Sequence, residues 1–323
     1  MLAIVAPGQG AQTPGFLTPW LTDAASAERL TALSEAAGLD LTHYGTEADA
    51  ETIRDTAIAQ PLLVAAGLLS AQALFADTPL PARSVAAGHS VGELTAAAIT
   101  GVLTAEEAMT LVSERGRAMA EASAVTPTSM TAMVGGDPDE VLAAIERHGL
   151  TAANNNGKGQ IVAAGTVEQL EALAGDAPRR CRLVPLSVAG AFHTVHMELA
   201  VARLAAVAAD VSPADPGVRL LSNADGAVVL TGDEVLRRLV GQVANPVRWD
   251  LCMETMADLG VTGLLELVPA GTLTGIAKRN LKGVEVFALN TPDELAAARD
   301  FVRNHGEQAA ATGSTASTES EEA

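Results

Sequence analysis

Residues 84–98 read SVAAGHSVGELTAAA, and this stretch decides the fold. A short apolar strand at 84–88 meets Gly88-His89-Ser90-Val91-Gly92, and an alanine-rich helical pattern follows. A strand turning through G-x-S-x-G into a helix is the elbow that presents a serine nucleophile. Each part has a physical reason. The sharp turn strains the backbone at Ser90 and lifts its Oγ clear of the sheet. Gly88 and Gly92 remove side chains that would strike the neighbouring strand and helix. The helix N-terminus aims free N–H groups and a positive dipole end at the site. The N–H of Val91 then supplies one half of an oxyanion hole. His89 adjoins Ser90 in sequence, so its side chain points the other way and reads as packing or gating.

Working outward, residues 2–6 (LAIVA) form an apolar run before Pro7-Gly8, which predicts a central parallel strand. Residues 59–76 predict a buried helix. Helices follow at 91–100 and 104–123, the second capped by Thr104 with Glu107 three residues on. The rhythm then changes. A strand at 129–134 leads to a helix at 137–147, capped by Asp137 with Pro138 in its first turn. A strand at 150–153, a turn at 154–159, a strand at 160–164, a helix at 166–174 and a strand at 181–187 complete the segment. That order, β-α-β-β-α-β, is ferredoxin-like. Helices at 196–209, 233–243, 248–259 and 271–279 follow, with strands at 218–221, 263–267 and 284–287. The expected class is α/β. A large unit with a parallel sheet spans 1–126 and 190–306, and the ferredoxin-like unit, 127–189, is inserted in it. Residues 307–323 are small, polar and acidic, and are expected to be disordered.

Composition narrows the function. Hydrophobic residues make up 48% and aromatics 2%, so the core must be built from Ala, Val and Leu. The net charge of -19 argues against nucleic-acid binding, which needs Lys and Arg to neutralise phosphates. Two cysteines, Cys181 and Cys252, are not a disulfide framework, and no Cys/His cluster has metal-ligand spacing. The opening MLAIVAPGQGAQ lacks the layout of a signal peptide, and no run of 18 apolar residues predicts a membrane span. A cytoplasmic protein is expected.

Five stretches now fall in order: APGQGAQ at 6–12, GHSVGE at 88–93, ERGRAM at 114–119, GAFHTVHM at 190–197 and ANPVRW at 244–249. Together they resemble the malonyl-CoA:acyl-carrier-protein transacylase family over about residues 1–300. That family pairs an α/β-hydrolase-like large subdomain with a ferredoxin-like small one. The resemblance implies that Ser90 is the acylated serine and His193 its base, with His196 one helical turn on as the fallback. His43, His148 and His305 lie in polar stretches expected to be exposed. The resemblance assigns the carbonyl that orients the His193 ring to the main chain of Gln242, so substitution of that side chain need not abolish activity. Arg115 is implied as the clamp on the malonyl carboxylate, which a guanidinium holds through two parallel hydrogen bonds. Arg117, about 200° round the helix, cannot share that direction. Gln9 is implied as the second oxyanion donor through its N–H, and Gln60 as a residue lining the pocket. Asn154 and Asn156 match an asparagine-rich turn of the family, although Lys158 stands where proline is usual. Phe192, before the histidine, accompanies malonyl rather than methylmalonyl specificity in the family.

The implied activity is malonyl transfer from malonyl-CoA to the phosphopantetheine thiol of acyl carrier protein, through a malonyl-serine. It serves fatty acid synthesis, or the chemically identical step of polyketide synthesis. It needs no cofactor beyond the phosphopantetheine that the partner carries. A thioesterase on the same elbow is the alternative, and a scaffold with an accidental GHSVG is a third reading. A monomer is expected, with no nucleic-acid or membrane partner. The clusters Arg179-Arg180-Arg182 and Lys278-Arg279-Lys282 are candidate receivers of phosphates or of an acidic carrier protein.

Overall fold

A computed structural model describes residues 1–77, 79–188 and 190–306. Among these residues eleven strands run in chain order: β1 Leu2–Ala6, β2 Val85–Gly88, β3 Thr128–Gly135, β4 Thr151–Asn155, β5 Gln160–Thr166, β6 Cys181–Pro185, β7 Arg219–Leu221, β8 Val228–Val229, β9 Val247–Arg248, β10 Gly263–Glu266 and β11 Glu285–Ala288. Six form one sheet, in the order β11-β10-β1-β2-β7-β8. All its pairings are parallel except β7 with β8. β1 and β2 are buried on both faces, as a parallel sheet covered by helices requires. The expected tail, 307–323, lies outside the described residues.

The second sheet runs β6-β3-β5-β4-β9. Its first four strands pair antiparallel, with helices Pro138–Arg147 and Val167–Gly175 between them in sequence, giving the ferredoxin-like layout. The chain is thus α/β-hydrolase-like with a ferredoxin-like subdomain. The fifth strand arrives from far along the chain: Val247 and Arg248 of β9 pair parallel with Asn154 and Asn155 of β4. The predicted turn at 154–159 is shortened accordingly. Asn154 and Asn155 remain extended because they have a strand on each side, Val162 and Ile161 on one and β9 on the other.

Helix Thr56–Leu74 begins three residues before the predicted start, where Asp55 caps it, and it carries Pro61 inside. It is the one described helix long and apolar enough to cross a membrane, with mean hydropathy 1.6, but 78% of that stretch is buried in the protein. Helices Ala24–Ala37, Leu41–Thr46 and Leu295–Gly306 were not anticipated from the sequence. The first is bounded by Asp23 at its N-cap and by Gly38 at φ 65 beyond its end. The last overturns the expectation for His305. Its ring is buried at 6% exposure, against Phe301 and within 3.0 Å of Thr262 Oγ1.

The elbow stands at the C-terminal end of β2. A Cβ on Gly88 would lie 1.9 Å from the carbonyl carbon of Gly92, and one on Gly92 would lie 2.3 Å from the carbonyl oxygen of Ala6. Backbone cannot retreat from such contacts as a side chain can. Gly92→Ala is therefore expected to destabilise the protein by about 3 kcal/mol, the upper range for overpacking, measured by chemical denaturation.

Candidate active site

Ser90 has φ 53 and His193 has φ 61, left-handed conformations that side-chain-bearing residues rarely adopt. Each costs about 1–3 kcal/mol, sustained only because surrounding bonds over-determine it. At Ser90 those bonds are visible. Its N–H donates to Asn223 Oδ1 at 2.8 Å, and its carbonyl accepts from Gln242 Nε2 at 3.0 Å. Asn223 also donates from Nδ2 to the Gly88 carbonyl at 2.8 Å, so it spans the turn.

The structure brings Ser90, His193, Arg115, Gln60 and Gln242 together. Ser90 Oγ lies 2.7 Å from His193 Nε2. His193 Nδ1 lies 2.8 Å from the backbone carbonyl of Gln242, and its own N–H donates to the Val243 carbonyl at 3.2 Å. A carbonyl only accepts, so Nδ1 carries the proton and Nε2 offers its lone pair to the serine hydroxyl. Burial, and next the positive charge of Arg115, push the imidazole down to about 3, which keeps it neutral.

Arg115 is 2% exposed. Its Nη1 donates to Gln60 Oε1 at 2.6 Å, and its Nη2 to Gln242 Oε1 at 2.8 Å and Ser90 Oγ at 3.4 Å. All three acceptors are neutral. Burial lowers the guanidinium to about 10, leaving it charged at neutral pH. Arg117 points outward and pairs with Glu114.

The Gln9 loop packs against the elbow: a Cβ on Gly8 would lie 2.9 Å from the His89 carbonyl oxygen. The Gln9 side chain reaches Thr56 Oγ1 at 3.3 Å. Among the described residues the backbone N–H groups of Gln9 and Val91 donate no hydrogen bond. Phe192 is buried in the core directly before His193. Asn156 accepts at Oδ1 from His89 Nε2 at 2.9 Å and donates to Gln160 at 3.2 Å, while Asn154 Oδ1 is buried without a partner. Neither asparagine is bonded to Ser90, His193 or Arg115 among the described residues. Gly157 and Gly159, both at positive φ, carry the turn in which Lys158 sits, and the Lys158 N–H donates to Asn280.

A family model described as acyl transferase domain matches residues 4–317. The malonyl CoA-acyl carrier protein transacylase of Mycobacterium tuberculosis strain H37Rv is 50% identical over 296 residues, 91% of this chain and 98% of that one. The chain belongs to the malonyl-CoA:acyl-carrier-protein transacylase family. The transacylase of Escherichia coli K12 is 34% identical over 307 residues, covering 93% and 99% of the two chains. The solved structure of MCAT from Mycobacterium tuberculosis superposes with a TM-score of 0.88 at 48% identity, covering 93% of this chain and 99% of that one.

The transacylase site holds more than the sequence suggested. Gln242 was expected to act through its main chain alone, yet its side chain bonds Arg115, the Ser90 carbonyl, Glu93 and Asn223 Oδ1. Glu93 and Asn223 were not singled out at all. Glu93 follows the elbow directly in GHSVGE, and Asn223 lies in a Ser-Asn-Ala-Asp-Gly stretch that reads as an ordinary turn. Asn223→Ala should leave the Ser90 N–H buried without an acceptor and cost about 1–3 kcal/mol. The expected result is a lower denaturation midpoint with a slower acylation of Ser90, followed by stopped-flow release of CoA.

Proposed function

We propose that Ser90, His193 and Arg115 carry out malonyl transfer from malonyl-CoA to the phosphopantetheine thiol of an acyl carrier protein. The observation that carries this assignment of roles is the buried guanidinium. It touches only neutral oxygens and lies 3.4 Å from the nucleophile. An acyl group ending in a carboxylate supplies the directly bonded anion that the fork lacks and is held by it in two parallel hydrogen bonds. The other end of a three-carbon diacid then reaches the serine. A plain thioesterase has no use for such a cation.

In the first half-reaction the Ser90 hydroxyl gives its proton to His193 Nε2 as Oγ attacks the thioester carbonyl. The oxyanion is received by the N–H groups of Gln9 and Val91. The carbon–sulfur bond breaks, the CoA sulfur takes the proton from the imidazolium, and malonyl-Ser90 remains. In the second half the carrier's thiol gives its proton to the same nitrogen and attacks the ester. The proton then returns to the Ser90 oxygen as it leaves. The Gln242 carbonyl keeps the ring in one tautomer through both halves and steadies the imidazolium.

The remaining assignments belong to the same proposal. Residues 1–126 and 190–306 act as the catalytic unit, and 127–189 roof the cleft. Gln60 holds the Arg115 fork in place, and Phe192 excludes an α-methyl branch. Asn156 steadies the elbow from below through His89, and Asn154 supports the roof. The enzyme works as a monomer in the cytoplasm, on carrier proteins of fatty acid or polyketide synthesis.

Mixing the protein with malonyl-CoA should add one malonyl group to the peptide containing Ser90, seen by mass spectrometry, and holo carrier protein should remove it. Release of free malonate by water alone, without transfer, would instead favour the thioesterase. Arg115→Ala should lower kcat/KM for malonyl-CoA by about 100-fold or more, the scale of a lost buried charge contact. Its preference for malonyl over acetyl should disappear. Because the imidazole is depressed, the basic form persists at acid pH. At saturating malonyl-CoA, acylation should stay level from pH 8 to about 5.5, without the fall near 6.5 that an ordinary histidine gives.

A further inference from the structure

Glu93 takes no part in the steps above, yet it is a carboxylate at 5% exposure directly beneath the nucleophile. One oxygen accepts from the Asn223 backbone N–H at 2.6 Å, and the other accepts from Gln242 Nε2. A donor on each oxygen is the pattern of an ionised carboxylate. The opposite end of the same Gln242 amide accepts from Arg115 Nη2 at 2.8 Å. The order is carboxylate, amide N–H, amide oxygen, guanidinium. We propose that Glu93 is the counter-charge of Arg115, held one amide away by Gln242, and that this spacing leaves the guanidinium free to take the substrate's carboxylate.

Two costs are avoided at once. A guanidinium buried with no anion nearby is prohibitive. A carboxylate bonded directly to it would occupy both arms of the fork and compete with malonate. An amide between the charges transmits the attraction while occupying a single N–H. The charges also fix the amide's orientation. Reversed, Gln242 would set its NH2 against Arg115 and its oxygen against Glu93, and the Ser90 carbonyl would lose its donor. Arg238 lines the same cavity and also draws the Glu93 carboxyl down, though less than Arg115, and its own guanidinium is bonded to Glu234 and Asp225; Leu220, Leu221 and Leu239 line that side too. Burial pushes Glu93 up to about 8, with the Asn223 N–H and then Arg115 pulling against it, so the counter-charge is fully developed only above that pH. Glu93 is in turn what opposes the lowering of Arg115.

Glu93 is thus a positioning residue whose effect is on recognition of the acyl carboxylate, an inference that rests on the malonyl reading. The test compares wild type, Glu93→Gln, Glu93→Asp, Arg115→Ala and Glu93→Gln/Arg115→Ala as full-length proteins. It measures kcat and KM for malonyl-CoA and acetyl-CoA with holo carrier protein as acceptor, at about pH 9, where Glu93 and Arg115 are both charged. A glutamine would lack the charge and would turn an NH2 toward one of the two donors that Glu93 accepts from, so Glu93→Gln should cut kcat/KM for malonyl-CoA about 30-fold, mainly through KM. Acetyl-CoA should change by less than about 3-fold. Glu93→Asp keeps the charge and should recover part of the malonyl preference. In the Arg115→Ala background, Glu93→Gln should add less than about 3-fold. Equal losses for both substrates, an additive loss in the double variant, or an unaffected Glu93→Gln would each overturn the proposal, the last by showing a neutral Glu93. Where Glu93→Gln does not fold, Glu93→Asp decides: loss of malonyl preference with acetyl transfer retained supports the role, and a uniform loss overturns it. Failure of the malonyl reading itself would look different, because the wild type would then show no preference for malonyl over acetyl.

Discussion

One backbone angle governs this molecule. Ser90 must be held in a left-handed conformation, and nothing in a serine favours that. The cost is met from outside the turn. Glycines at 88 and 92 let strand, loop and helix backbones meet at distances no Cβ permits. Asn223 and Gln242 then grip the Ser90 peptide from both sides. The same Gln242 supplies a carbonyl to the imidazole and an amide oxygen to the guanidinium. Ser90, His193 and Arg115 therefore share a single support, and their geometry is correlated rather than independently tuned.

That economy matters for charge. The chain carries a net -19, yet a buried guanidinium, Arg115, stands at its reaction centre. Local potential is set by what is buried and desolvated, and net charge tells little about it. With its imidazole kept neutral and its guanidinium kept charged, the cleft has one cation to offer an anionic acyl group. The base beside it is spared direct competition for a proton.

The sequence disclosed the parts whose physics is local. The elbow was legible because glycine–serine–glycine between a strand and a helix has few other uses. The ferredoxin-like insert was legible from the change of periodicity after residue 128 and the cap at Asp137. His193 and Arg115 emerged through the family resemblance, since nothing in their own surroundings marks a base or a clamp. What stayed hidden depends on distant partners. Glu93 occupies a helix's first turn, where acids are favoured at the surface for ordinary reasons. Asn223 resembles any turn residue until Ser90, 133 positions away, is placed beside it. The two-residue β9 is too short to leave a pattern, and His305 is buried by a helix that the polar character of its stretch concealed.

β9 also ties the small sheet to the reaction centre. It begins five residues after Gln242, whose carbonyl orients the imidazole, and it is stitched to β4 of the inserted subdomain. His89 and Asn156 form a second stitch close by. The two sheets are therefore joined along one seam. Fraying of the small sheet under heat or denaturant would be felt at the histidine ring while the main core was still intact, so catalysis should fail as an early casualty of unfolding.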